Sequence, residues 1–157
     1  MSLNLISKDD FVGFWNIQFS ETETTFDIFA GQLEAKILIE LFGSAMYQDM
    51  LANPTEANYV YLIDTYLKTM QRGFFYYYFL IDRESYSSTL GEFSSDAENS
   101  NRARQSRNAK ITDAYNDGLL QYVESSNYVN ENLDNYPLYT ETKQRYPINV
   151  WGISMVG

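Results

Sequence analysis

The sequence predicts a mainly α-helical protein, a helical bundle of about four to five helices with an extended C-terminal arm. Apolar residues recur every three or four positions in three long segments, and residues 74–81 form an unbroken apolar and aromatic run. After Asn127 the helical period gives way to alternation and two Tyr-Pro pairs, which favour extended structure. We expect a helical domain over 1–135 and an arm over 136–157, with a short β-hairpin as one form of that arm.

The composition excludes most catalytic chemistry. The 157 residues include no cysteine and no histidine, so thiolate metal sites and Ser-His-Asp triads are impossible. The net charge of −10 repels phosphate backbones, which argues against generic nucleic-acid binding. No signal peptide and no apolar run long enough to span a bilayer is present, so we expect a soluble protein without membrane contact. We therefore expect that the protein is not an enzyme and binds no cofactor.

Two capping patterns open the first helices. Ser7 and Asp10 have the spacing of an N-cap with an acid in the first turn, which predicts a short helix to about Trp15. The Ser-Glu-Thr-Glu segment at 20–23 precedes a longer amphipathic helix that ends at Gly43. Its apolar stripe consists of Phe26, Phe29, Ala30, Leu33, Ile37 and Leu41.

Two further helices follow. Ser44 is placed to cap a short helix that ends at Asn53-Pro54, because proline cannot continue a helix. A third helix is predicted from Glu56 to Met70, and Gly73 either dents it or separates it from the aromatic run. Its apolar face comprises Tyr59, Leu62, Ile63, Tyr66 and Met70.

The aromatic run at 74–81 covers every direction around a helix axis, which is typical of the buried centre of a bundle. The alternative, a stacking platform for bases, requires a basic groove, and only Arg72 and Arg83 flank the run. We therefore interpret it as a central core helix whose tyrosine hydroxyls reach a partner or water.

The polar segment 83–100 predicts a long surface loop. A final long helix is predicted from about Asn99 to Ser125. Its apolar stripe comprises Ile111, Ala114, Tyr115, Gly118, Leu119 and Tyr122.

Four of the eleven basic residues lie close together at the start of that last helix. They are Arg102, Arg104, Arg107 and Lys110. Three interpretations stay open for this basic segment: a phosphate-binding patch, a contact with an acidic surface of another subunit, or a solvated helix start. Opposite charges on different faces of one chain favour head-to-tail association.

The C-terminal arm is the second candidate interface. A single strand cannot satisfy its own backbone, so residues 138–156 must form a hairpin, join another chain or stay mobile. The candidate contact residues are Tyr146, Ile148, Val150, Trp151, Ile153 and Met155. The carboxylate pairs Glu34 with Glu40 and Asp113 with Asp117 are the remaining acid–base candidates, and we interpret Asp113 and Asp117 as a solvated helix face.

Four stretches follow one another in a characteristic order: "GQLEAKILIELFGSAMYQDMLANPTEANYVYLI" (31–63), "GFFYYYFLIDRESY" (73–86), the loop and long helix at 87–125, and "NYPLY" (135–139). In these stretches the chain resembles the head–tail connector (adaptor, or head-completion) proteins of tailed bacteriophages. The resemblance covers roughly residues 8–139. The most recognisable family motif is matched by Leu41, Phe42, Gly43, Ala45, Met46, Tyr47, Asp49, Met50, Leu51, Asn53 and Pro54.

This resemblance implies a structural virion protein that forms a ring, dodecameric in many members, beneath the portal at the capsid vertex. The implied partners are identical subunits, the portal protein, and the next connector ring or tail proteins. Genomic DNA would pass through the lumen without specific binding, and an acidic lumen would avoid sticking to it. The alternative function is a nucleic-acid-binding accessory protein that uses the basic segment Arg102–Lys110.

Overall fold

A computed structural model describes residues 2–11, 23–87 and 97–140, with side-chain surroundings given for all of these except 23–24, 80–87 and 97–107. The described chain is mainly helical and contains no strand. Its helices are α1 (Glu23–Phe42), α2 (Ser44–Ala52), α3 (Ala57–Leu62), α4 (Lys68–Ser87) and α5 (Ala97–Glu131). A π-turn (Ile63–Leu67) joins α3 to α4 without a break, and 3₁₀ turns cover Lys8–Phe11 and Leu133–Asn135.

The predicted end of α1 at Gly43 is confirmed. Gly43 has a φ of 87°, a left-handed conformation that strains other residues, and its N–H donates to the Ile39 carbonyl at 3.0 Å. The next helix starts at Ser44 itself, so Gly43 and not Ser44 occupies its N-cap position, and no side chain caps it. The predicted stop at Asn53-Pro54 is confirmed, since α2 ends at Ala52.

The third helix is longer than predicted, because it neither ends at Met70 nor breaks at Gly73. Gly73 lies inside α4, where it faces Gly118 of α5. A Cβ on Gly73 would lie 2.8 Å from the Gly118 nitrogen and closer still to the Ala114 carbonyl oxygen. The missing side chains let the two helix backbones approach, so this glycine marks a helix crossing and not a helix boundary.

The residues at both ends of the loop predicted over 83–100 are helical. Helix α4 extends to Ser87 and α5 begins at Ala97, while residues 88–96 lie outside the described part of the chain. Helix α5 also continues past the predicted Ser125 to Glu131.

The aromatic run is part of the core, as predicted. Phe74, Phe75 and Tyr76 are buried, residues 77–79 are half-buried, and α4 packs along α5 more extensively than any other pair of elements. The ring of Phe75 lies 4.7 Å from that of Phe26 and 5.3 Å from that of Phe11. These rings join α1, the N-terminal 3₁₀ turn and α4 into one hydrophobic core.

The two ends of the described chain both dock on α1. Near the N-terminus, the described part of the predicted helix is a 3₁₀ turn over Lys8–Phe11, and the rest of that prediction lies in residues 12–22, outside the described part. After α5, Tyr136 is buried and the Thr140 N–H donates to the Phe42 carbonyl at 3.2 Å. The first residues of the predicted arm therefore pack on their own chain.

Candidate interaction surface

Five tyrosines meet where α3, the π-turn, α5 and the chain after α5 come together. We call this group the tyrosine cluster: Tyr59, Tyr61, Tyr66, Tyr128 and Tyr136. Ring centroids of Tyr128 lie 5.1 Å from Tyr61, 5.7 Å from Tyr66 and 6.2 Å from Tyr136, and Tyr59 lies 6.2 Å from Tyr136. These separations are typical of interacting aromatic pairs.

The π-turn explains how Tyr61 and Tyr66 both reach Tyr128. In a regular α-helix, residues five apart point about 140° away from each other. A π-turn closes its hydrogen bonds between residues five apart, which brings such positions closer to register. Tyr66 lies within the π-turn Ile63–Leu67, and its ring is 6.3 Å from that of Tyr61.

The cluster has a buried end and an exposed end. Tyr59 and Tyr136 are buried. The Tyr59 hydroxyl donates a hydrogen bond to Asp49 Oδ2, and the Tyr136 hydroxyl donates one to the Asn58 carbonyl. Burial is the main cause that raises the pKa of each of these two tyrosines, so both stay protonated and neutral at physiological pH. Tyr61, at the other end, is 48% exposed and presents an aromatic surface to solvent.

Acidic side chains border this surface. Glu124 on α5 is close enough to contribute to the raised pKa of Tyr66, whereas Glu56 contributes to the raised pKa of Tyr59, at the buried end of the cluster. Both carboxylates are exposed, and we call them the acidic rim. Asp64 in the π-turn is paired with Lys68 at 2.6 Å. The exposed part of the cluster therefore combines aromatic rings with net negative charge.

No protein-family model, curated protein or solved structure matches this chain. The surface must be interpreted from its own geometry.

The basic segment predicted from sequence lies at the other end of α5. Arg102, Arg104 and Arg107 belong to α5, and Lys110 is exposed; the surroundings of the three arginine side chains lie outside the described part. All candidate contact residues of the arm also lie outside it: Tyr146, Ile148, Val150, Trp151, Ile153 and Met155. Their predicted role in an interface stays a prediction.

No direct signal in the sequence marks the tyrosine cluster. Periodicity places Tyr59 and Tyr66 on the apolar face of a helix, and Tyr61 falls outside that stripe. Fourteen tyrosines in 157 residues are a compositional hint, but the pairing depends on α5 and the π-turn.

Glu34 has a structural environment that its spacing did not predict. Its side chain is buried, and it accepts the Leu3 N–H at 2.7 Å, the Tyr47 hydroxyl at 3.1 Å and the Leu5 N–H at 3.5 Å. Burial raises the pKa of Glu34, although these hydrogen bonds oppose the shift. Glu40 instead contributes to the raised pKa values of Tyr78 and Tyr122, so the two carboxylates lie in different environments.

The described residues give no support for a metal site or a membrane span. Among them no group of three metal-ligating side chains converges, and Asp113 and Asp117 are exposed on α5. No helix in the described ranges is both long and apolar enough to cross a bilayer.

Proposed function

We propose that this protein is a structural virion protein, the subunit of a ring at the capsid portal vertex that joins the portal to the tail and extends the DNA channel. The proposal rests on the resemblance to phage head–tail connector proteins together with the helical bundle. Its partners are identical subunits in a dodecameric ring, the portal protein, and the next connector ring or tail proteins. The protein would be made in the bacterial host cytoplasm and reside in the virion neck.

The observation that carries the proposal is the distribution of charge along α5. Arg102, Arg104, Arg107 and Lys110 follow the single acid Glu98 in its first half, whereas the helix after Lys110 carries only acids: Asp113, Asp117, Glu124 and Glu131. Basic groups near the positive end of a helix are mildly unfavourable, so the helix dipole does not account for this order. Opposite charges at two ends of one helix suit heterologous, head-to-tail contacts, which close into rings when the rotation allows.

Electron microscopy of the protein with the portal protein encoded in the same genome tests the proposal. We expect rings with a central channel seated on the portal, and a gene neighbourhood that encodes portal and tail proteins. A chain that forms no ring with or without that portal would contradict the proposal.

In an assembled ring we expect acidic side chains to line the lumen, because a repulsive wall keeps passing DNA from sticking. A lumen dominated by Arg102, Arg104, Arg107 and Lys110 would refute this expectation. It would favour the nucleic-acid-binding alternative, which also requires filter binding with a steep loss of affinity as salt rises.

Removal of residues 141–157 is expected to leave the subunit folded and to abolish its incorporation into particles. The shortened chain keeps the Thr140 N–H bond to Phe42 and the buried Tyr136, so its thermal midpoint should change by only a few degrees. Thermal unfolding and incorporation are measured on the same variant. Normal incorporation would exclude the arm as an assembly element.

A further inference from the structure

We propose that the tyrosine cluster and its acidic rim bind the basic segment Arg102–Lys110 of a second copy of this chain. This inference rests on the proposed function and goes beyond it, because it names the two surfaces that meet at each subunit contact.

The basic segment cannot reach the cluster of its own molecule. Lys110 and Tyr128 belong to the same uninterrupted helix α5. At 1.5 Å of rise per residue, their backbones are about 27 Å apart, and Arg104 is about 36 Å from Tyr128. A continuous helix holds these distances, so a contact between the two surfaces must involve two molecules.

Arginine chemistry fits the exposed end of the cluster. Tyr61 is 48% exposed, and its ring packs at 5.1 Å against that of Tyr128, which holds it in place. A guanidinium group binds the face of such a ring by a cation–π interaction while its N–H groups pair with a nearby carboxylate. Glu124 supplies that carboxylate, because it lies one helical turn before Tyr128 on α5. Tyrosine and arginine are also the residues most enriched in the strongly contributing centres of protein interfaces.

Charge complementarity selects a second copy as the occupant. The chain is acidic overall, and Arg102–Lys110 is its densest group of basic residues. In the proposed contact the basic segment of each copy binds one neighbour and its tyrosine cluster binds another, so the contact is heterologous. Each added copy exposes a new basic segment and a new cluster, so association continues until a ring closes.

The test measures self-association of the full-length chain by sedimentation velocity at up to millimolar concentration. We expect Tyr61→Ala and Glu124→Lys each to weaken association about tenfold or more. Ile28→Ala, which removes a 57% exposed apolar side chain from α1, is the matched control and should associate like the wild type. Glu124 is exposed, so its substitution should keep the fold even if Tyr61→Ala perturbs packing.

Mixing two variants tests whether the basic segment of one copy binds the tyrosine cluster of another, and the size of the wild-type assembly separates a head-to-tail array from a reciprocal dimer. A Tyr61→Ala/Glu124→Lys chain keeps its basic segment, and an Arg104→Glu/Arg107→Glu chain keeps its tyrosine cluster. We expect neither to associate alone and the mixture to stop at a heterodimer, because only one productive contact remains. A wild type that is monomeric or stops at a closed dimer, unaffected variants, or a mixture without heterodimer would each overturn the inference.

These outcomes separate the inference from the proposed function. Rings on the portal that tolerate both Tyr61→Ala and Glu124→Lys would overturn the inference and leave the proposed function standing. Head-to-tail association with the expected variant effects, but without any ring on the portal, would contradict the proposed function and support the inference.

Discussion

Substitution of Gly73 by alanine is expected to lower the free energy of unfolding by about 2–3 kcal/mol. The added Cβ would collide with the Ala114 carbonyl and lie 2.8 Å from the Gly118 nitrogen, and both are backbone atoms of α5. Neither can rotate away, so α4 and α5 must separate along the most extensive helix pair in the fold. Overpacking against these fixed backbone atoms costs about 3 kcal/mol or more. Alanine recovers about 1 kcal/mol of this through its higher helix propensity.

Thermal and urea unfolding measure this effect, with an expected fall in the melting temperature of about 5–10 °C for a chain of this size. Gly31→Ala is the matched control, because it brings the same propensity gain inside α1 but meets only the Ser2 side chain, at 3.3 Å. It should be neutral or slightly stabilising. Gly118→Ala should fall between the two, since the Phe74 ring at 3.1 Å can shift but the Met70 carbonyl at 3.2 Å cannot. Equal stability of the Gly73 and Gly31 variants would contradict the close crossing.

The helices themselves could be predicted from sequence because local periodicity records which face is buried. The stripe residues Phe26, Ala30, Leu33, Ile37 and Leu41 are all buried in α1, and only Phe29 is partly exposed. The stop at Gly43 depends on a conformation that glycine adopts easily, so it too is encoded locally.

The errors concern features that depend on distant residues. Gly73 has the composition of a helix breaker, and only its contact with Gly118 reveals it as a crossing point. The sequence predicts a loop at the polar ends of α4 and α5, because polar composition does not separate a solvated helix from a loop. The tyrosine cluster requires the π-turn and the return of the chain after α5, and neither leaves a periodic signal.

The basic segment was predicted because charge clustering is visible along the chain, whereas the surface that would receive it is not. Tyr61 and Tyr128 are far apart in sequence, and their 5.1 Å ring separation arises only when the π-turn that follows α3 packs against α5. A candidate interface residue of this kind becomes recognisable once its exposure and its ring contacts are known together.

Substitution of Glu34 by alanine is expected to destabilise the protein by about 3 kcal/mol and to release the N-terminal segment. The change removes the acceptor for the Leu3 N–H, the Leu5 N–H and the Tyr47 hydroxyl, all partly or fully buried. A buried donor without an acceptor costs about 1–3 kcal/mol. Urea unfolding gives the loss, and amide hydrogen exchange should show faster exchange at Leu3 and Leu5.

Glu34→Gln is the informative companion, because an amide keeps one acceptor oxygen. That oxygen can still accept from Leu3 and Tyr47, and only the long 3.5 Å bond from Leu5 is lost, so we expect a loss of about 1 kcal/mol. A loss as large as that of Glu34→Ala would mean that the carboxylate charge, and not the accepted hydrogen bonds, holds the N-terminal segment.

The pH dependence of the wild type relative to Glu34→Gln tests the electrostatic environment of this carboxyl group. Burial raises the pKa of Glu34 above its ordinary value of 4.5, so the folded protein binds its proton more tightly than the unfolded chain. The stabilisation that Glu34 contributes is therefore complete below pH 4.5 and declines as the pH rises through the folded-state pKa. The amide does not titrate, so the wild type should lose stability relative to Glu34→Gln as the pH increases from 4.5. Tyr47, whose pKa is raised to about 12, stays neutral throughout. If the wild type instead gained stability relative to Glu34→Gln as the pH rises, hydrogen bonding would outweigh burial at this carboxylate.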